Sequence, residues 1–420
     1  MSILIQGVIL DGEKKDILIE GNRIRRIGNR IEEKAETVIA GEDKIAIPTF
    51  INGHTHAAMT LLRGYADDMP LREWLETKIW PVEAHLTEED VYWGVKLACL
   101  EMIKSGTTFF NDMYWHWWGA ARAVEEMGIR AALSAVFIDT FDPTKMKEQI
   151  RLNERIYQES RSLSPRIMFT LGPHALYTVS EEALRWSADF AKEKDILIHF
   201  HLAETREEVQ ECLQKHGVRP VEYLERLGFL CPNLIACHCI WLHEKEMDLL
   251  RAHEVKVIHT PVSNMKLSVG GVFPYVPLRE RGVIIGLGTD GCASNNNLDM
   301  LETAKFASLL QKFHTGSPVV QRAREAFEML TIQGARAFRL DCGAIAEGKL
   351  ADLALVDLNQ PQMVPHFNTE SDLIYAANGS CIDTVICDGK ILMQNRRVEG
   401  EQEIVAKARQ VAYDLIRRAS

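Results

Sequence analysis

Between residues 49 and 346 the chain alternates apolar, strand-like runs with stretches of helical spacing, and most of the runs end on a His or an Asp. The runs end at His56, Asn111-Asp112, Phe137-Ile138, Gly172-Pro173-His174, His199-Phe200-His201, Cys237-His238, His259-Thr260-Pro261 and Gly288-Thr289-Asp290. Regular alternation of strand and helix predicts βαβ units and a parallel sheet. Eight such strands predict an α/β fold of the (β/α)8 barrel type, in which chemistry sits at the strand C-termini. A doubly wound open sheet lacks its signature here, because no Gly-x-Gly-x-x-Gly follows an early strand.

The two ends of the chain read differently. Ile3-Leu4-Ile5, Gly7-Val8-Ile9-Leu10, Asp16 to Glu20 and Arg23 to Ile27 are short strand-like runs, separated by turn pairs such as Asp11-Gly12 and Gly21-Asn22. They fit a small antiparallel sheet. Gly348 to Asp357 and Asp383 to Leu392 read alike, and Glu401 to Arg418 has the spacing and charge of a surface helix. The expected organisation is residues 1–48 as the N-terminal part of a small β-sandwich domain, 49–346 as the catalytic barrel, and 347–420 as the rest of the small domain plus the terminal helix.

Composition narrows the function classes. A net charge of −11 argues against a nucleic-acid partner, since such proteins present basic surfaces. No uncharged run approaches the roughly 20 residues of a membrane span, and the N-terminus lacks the pattern of a signal peptide. Nine scattered cysteines read as reduced thiols of a cytoplasmic protein. The apolar and Trp-rich content is compatible with a homo-oligomer, a homotetramer among the options.

The strand ends carry the chemistry. Ile45-Ala46-Ile47 leads into Gly53-His54-Thr55-His56, and alternation along a strand points His54 and His56 the same way, as a metal pair would require. Ile196 to Glu204 is the second signal. His199 and His201 share a face, and His201, nearer the mouth, is the candidate third ligand, with Glu204 just beyond the strand. Asp290, delivered by Val283 to Leu287, can touch a metal and take a proton from water. In Cys237-His238-Cys239 alternation turns both cysteines away from His238, leaving His238 as a site residue and the cysteines as core. His174 occupies the strand end where many two-metal barrels place a bridging lysine, which favours a single metal. Trp80-Pro81-Val82-Glu83 lies where a lid or substrate loop belongs, and Trp115, Trp117 and Trp118 are pocket-wall or core candidates.

These motifs in this order, His-Thr-His, His-Leu-Ala-Glu, Cys-His-Cys and Gly-Thr-Asp-Gly-Cys-Ala-Ser-Asn-Asn, resemble the amidohydrolase superfamily. More narrowly they resemble its methylthioadenosine/S-adenosylhomocysteine deaminase group, which includes 5′-deoxyadenosine deaminases. The resemblance runs nearly end to end and takes in Leu62-Arg63-Gly64, Trp80 to Glu83, Gly172-Pro173-His174 and Asn296-Asn297. It implies one Zn²⁺ per subunit on His54, His56, His201 and Asp290. It implies substrate contacts from Glu83 to ribose hydroxyls and from His174, Glu204 and Asp290, with catalysis by Glu204, His238 and Asp290. The substrates implied are 5′-deoxyadenosine, 5′-methylthioadenosine, S-adenosylhomocysteine and adenosine, deaminated at C6. One departure stands out. The third-strand arginine of members that take S-adenosylhomocysteine is absent from Leu133-Ser134-Ala135-Val136-Phe137, which favours small uncharged 5′ substituents. The other zinc deaminase plan, His-x-Glu with Pro-Cys-x-x-Cys, is missing. The rival readings are a deaminase of a free heterocycle such as guanine and a non-catalytic metal- or ligand-binding barrel.

Overall fold

The computed structural model describes residues 2–420. The chain opens with β1 (Ser2–Leu10), β2 (Glu13–Glu20), β3 (Arg23–Gly28), β4 (Thr37–Ala40) and β5 (Lys44–Pro48). The barrel strands follow as β6 (Phe50–Thr55), β7 (Thr107–Tyr114), β8 (Arg130–Phe137), β9 (Ile167–Pro173), β10 (Ile198–Leu202), β11 (Leu234–His238), β12 (Lys256–His259) and β13 (Ile285–Leu287). Then come β14 (Leu353–Asp357), β15 (Ile382–Cys387) and β16 (Lys390–Met393). Two sheets result. One runs β16-β15-β14-β5-β1-β2-β3 with β4 also on β1, and the other is the parallel series β6 to β13. This is the (β/α)8 barrel that the alternation predicts, with a separate sheet built from both chain ends.

The separate sheet differs in detail from the expectation. Ile3–Ile5 and Val8–Leu10 belong to one strand whose register shifts between Ile5 and Val8. The sheet is mixed rather than antiparallel, because β4 and β5 both run parallel to β1, one beside its first half and the other beside Ile9. Of the expected run Gly348 to Asp357, Gly348 to Asp352 stay outside β14. Ile45–Ile47 lie in β5 of this sheet, not in the strand that carries His54; Thr49 separates the two strands, and Pro48 cannot donate to a ladder. An ion-pair cluster joins the sheets. Arg130 of β8, 6% exposed, bonds Asp352 (2.7 Å) and Asp388 (2.6 Å) on the other side.

The barrel interior is apolar at its base, where Ile51, Phe109, Ala132, Leu197, Ile235 and Ile258 pack together. Between β13 and β6 no ladder forms; side chains close the seam. Asn52 Nδ2 donates to Thr289 Oγ1 (2.8 Å), Thr289 N to Asn52 Oδ1 (3.0 Å) and Asp290 N to the His54 carbonyl (2.9 Å). The approach is close enough that a Cβ on Gly288 would lie 2.7 Å from His54 N. The terminal helix Glu401–Ala419 buries Ile404, Ala408 and Leu415, and its Arg418 pairs with Asp90 of the helix Glu88–Lys104 (2.5 Å). Among the described residues no helix is long and apolar enough to cross a membrane.

Candidate active site

The His and Asp residues of the strand ends meet at the barrel mouth. His56 lies just past β6, and its Nδ1 donates to the Met113 carbonyl (2.7 Å); His201 Nδ1 likewise donates to the His174 carbonyl (2.8 Å). A carbonyl only accepts, so both rings carry the proton on Nδ1 and keep a lone pair on Nε2. His54 Nδ1 shares a 2.6 Å hydrogen bond with His199 Nε2, which leaves His54 Nε2 buried without a partner among the described residues.

Three imidazole Nε2 atoms and one carboxylate oxygen therefore face each other. His201 Nε2 and His56 Nε2 are 3.4 Å apart, and Asp290 Oδ1 is 3.4 Å from both His54 Nε2 and His56 Nε2. Donors about 2.0–2.2 Å from one tetrahedral ion stand roughly 3.4 Å from each other, so this set fits a zinc-sized cation. Burial holds His54 down at about 4 and His201 well below the usual imidazole range, and neutral rings are what a metal needs. Burial alone would raise Asp290. The neighbouring His54, His56 and His238 rings override that and hold its carboxyl well below the usual carboxylate range.

Around this cluster stand the acid–base candidates. Glu204, 5% exposed, follows β10, with its Oε1 3.7 Å from His238 Nδ1; burial raises its carboxyl. Burial works to lower His238, but Glu204 and Asp290 outweigh it and raise the ring. His174 bonds Thr178 Oγ1 through Nδ1 (2.9 Å), and its ring lies 4.7 Å from that of His201 at a tilt of 48°. Glu83, at the end of the short helix Trp80–Glu83, accepts from Trp115 Nε1 (3.2 Å), while its Oε1 and the Tyr114 hydroxyl have no partner among the described residues. Burial raises the Glu83 carboxyl too. All these side chains line one cavity with Trp74, Leu75, Tyr177 and Leu267. A second cavity of about 770 Å³ adjoins it past Glu83 and Trp115, walled by Trp118, Leu152 and Ile156, with Arg155 and Gln149 on its lining.

The structure brings together every site residue expected from the sequence, but corrects one orientation. Cys237 faces the barrel axis beside His54 and His199, not away from the site. His238 joins it there because the strand breaks: His238 has φ 68° and Cys239 φ 51°, so simple alternation fails. Ala203 (φ 50°) and Asp290 (φ 65°) adopt the same left-handed conformation at their own strand ends. For non-glycine residues this stores about 1–3 kcal/mol each, a strain that concentrates at functional sites. Of the tryptophans, Trp115 lines both cavities, whereas Trp117 is buried, reaches only the second and donates to the Leu133 carbonyl (2.9 Å).

Sequence reasoning missed the supporting shell. Ser263 Oγ donates to Asp290 Oδ2 (2.6 Å), and Asn264 Oδ1 and Thr260 Oγ1 each lie 3.0 Å from His238 Nδ1. The signal available was Thr260-Pro261-Val262-Ser263-Asn264, a polar set opening the helix Pro261–Lys266 directly after β12.

Comparison with known proteins places this geometry among relatives. A model of the amidohydrolase family matches residues 45–392. The chain is 49% identical to a 5′-deoxyadenosine deaminase of Methanospirillum hungatei, over all of this chain and 95% of that one. It is 48% identical to a 5-methylthioadenosine/S-adenosylhomocysteine deaminase of Archaeoglobus fulgidus, over 98% and 97% of the two chains. Among solved structures, an adenosine deaminase from Xanthomonas campestris with bound zinc superposes with a TM-score of 0.93 at 33% identity, covering 99% of this chain and 98% of that one.

Proposed function

This chain belongs to the amidohydrolase family and is a hydrolase, and on that premise we propose that it replaces the 6-amino group of 5′-modified adenosines with oxygen, releasing ammonia. The observation that carries the reading is the pairing, in one cavity, of a cation-sized donor cluster with two differently placed carboxyls. Glu204 lies buried beside His238, and Glu83 offers an unpartnered oxygen. The relatives named for 5′-deoxyadenosine, methylthioadenosine and S-adenosylhomocysteine support the same class.

The mechanism follows from those placements. A zinc ion on His54, His56, His201 and Asp290 would supply the Lewis acidity that brings the pKa of water from about 15.7 towards about 7. Asp290 accepts the proton of the attacking water, and His238, fixed at Nδ1 by Asn264 and Thr260, orients that water. Glu204, whose carboxyl burial raises, is the acid that gives its proton to N1 as oxygen adds to C6. C6 becomes tetrahedral without charge building up on the ring. The Asp290 proton then passes to the amino nitrogen, the C6–N bond breaks, and ammonia leaves. As the C6 carbonyl forms, the hydroxyl proton restores the Glu204 acid. Each positioned acid or base is typically worth about 10² to 10⁴ in rate. Glu83 and His174 hold the ribose.

The second cavity bears on the 5′ side. It opens past Glu83, so a group on C5′ points into its apolar walls. Arg155 makes no ion pair among the described residues and gives a carboxylate a partner that the third strand lacks. S-adenosylhomocysteine therefore stays in the substrate class beside the smaller, uncharged substituents.

The test is ammonia release from adenosine, 5′-deoxyadenosine, methylthioadenosine, S-adenosylhomocysteine, adenine and guanine, with and without prior chelation. Turnover of the nucleosides that is lost on chelation and restored by zinc is the expected result. Turnover of a free base alone, or of nothing, overturns the ribose reading of Glu83.

A further inference from the structure

Glu204 sits on a turn that is held in an unusual way. The turn begins where β10 ends, and Ala203 takes φ 50°, a conformation that an alanine adopts only when its surroundings impose it. The Ala203 carbonyl is pinned by the N–H groups of Ile240 (3.0 Å) and Trp241 (2.9 Å), from the segment after β11. Its own N–H donates to Glu208 Oε1 (2.9 Å), and the N–H of Glu204 donates to Glu208 Oε2 (2.9 Å). One carboxylate thus clamps two consecutive peptide groups, the second of which belongs to Glu204.

Glu208 is free to do this because of where its helix starts. Thr205 caps the helix Arg206–His216, accepting from Glu208 N (3.1 Å). In an ordinary capping box the third helical residue returns its side chain to the N–H of the cap. Here it reaches one and two residues further back, past Thr205 to Glu204 and Ala203. The helix start serves the turn before it, and not merely itself.

We propose that Glu208 is the positioning residue for Glu204, fixing the N1 proton donor in register with the donor cluster through the two backbone amides. The proposal rests on the deaminase reading above. Glu208 is not one of the metal donors and does not itself line the inner cavity. Its surroundings suit a clamp more than a reactant. It is 5% exposed, and burial, opposed by the two N–H bonds, pushes its carboxyl up to about 7. Glu204 and His238 face it from the strand ends, and Tyr177, Cys212 and Cys239 from the elements packed around it. A carboxamide in its place offers one acceptor and turns an NH₂ group towards the other amide, so the turn is released on one side.

The experiment is a double-mutant cycle with Glu208→Gln and Glu204→Gln in the zinc-loaded enzyme, reading kcat, KM, bound zinc and thermal unfolding. Positioning errors of about 1 Å cost on the order of 10²-fold in rate. Glu208→Gln is expected to lose about 10- to 100-fold in kcat, with KM changed less than threefold and zinc content unchanged. In the Glu204→Gln background the same substitution is expected to cost less than threefold, because its target is already gone. Equal losses in both backgrounds, or a loss in KM and zinc instead of kcat, overturn the proposal in favour of a general structural role. Should Glu208→Gln not fold, Glu208→Asp, one methylene shorter and unable to span both amides, is judged by the same criterion. Failure here leaves the wild type deaminating nucleosides, whereas failure of the deaminase reading leaves no nucleoside turnover to measure.

Discussion

Replacing Glu83 with Gln separates a nucleoside enzyme from one acting on a free base. In the structure Glu83 Oε2 already accepts from Trp115 Nε1, and Oε1 is buried without a partner, so one oxygen is held ready for a ligand donor. Glutamine keeps the shape and the Trp115 contact but loses the charge. A hydrogen bond to a charged group contributes about 1.5–3 kcal/mol. At about 1.36 kcal/mol per tenfold, losing one such bond lowers kcat/KM by about 13- to 160-fold. The assay compares 5′-deoxyadenosine with its counterpart lacking the 2′ and 3′ hydroxyls, in both proteins. The wild type should lose activity when the hydroxyls go, and the Gln variant should lose much less, since the partner is already weakened. A Gln variant within twofold of wild type, or one with the same penalty for missing hydroxyls, would refute the ribose assignment.

Three further outcomes are expected. Glu204→Gln keeps its zinc, because Glu204 is outside the donor cluster, and loses about 10² to 10⁴ in kcat; near-normal turnover sinks the N1-proton role. Arg155→Ala lowers kcat/KM for S-adenosylhomocysteine by about two- to fivefold, the scale of an exposed ion pair, and leaves 5′-deoxyadenosine unchanged; equal effects on both would remove Arg155 from the 5′ site. Arg130→Ala strands the buried Asp352 carboxylate and costs about 3–5 kcal/mol in denaturant unfolding. Burial pulls Asp388 up, yet Arg130 holds it below the usual range, so its share of that stability is present above about pH 4 and is lost as pH falls through its folded pKa. A variant as acid-sensitive as the wild type would contradict this.

The donor cluster was legible because it obeys short-range rules. A two-residue repeat along a strand puts His199 and His201 on one face, and barrel topology puts strand C-termini at one mouth. The same rule misplaced Cys237, because the left-handed turn at His238 is imposed by contacts that alternation does not encode. Ser263 and Asn264 were illegible for a related reason: each acts on a residue brought near it by the packing of loops; Glu208 acts locally, but by reaching past its own helix cap, which the capping pattern does not encode. Ile45–Ile47 were assigned to the wrong strand because an apolar run does not state which sheet it will join. Arg155 looks in the sequence like any helix-surface cation, and only the cavity beside it gives it a task.

The seam between β6 and β13 has a consequence for how the protein is made. His54 and His56 are synthesised near the start, but Asp290 and its partner Ser263 emerge late, and Asn52 waits for Thr289 across the same gap. A chain leaving the ribosome therefore carries an incomplete set of donors until Asp290 has emerged. The full set forms only when the last strand docks beside the first. On the proposed metal site, zinc capture would be coupled to closure of the barrel, and uptake of zinc by a growing chain would be a clock for the completion of its fold.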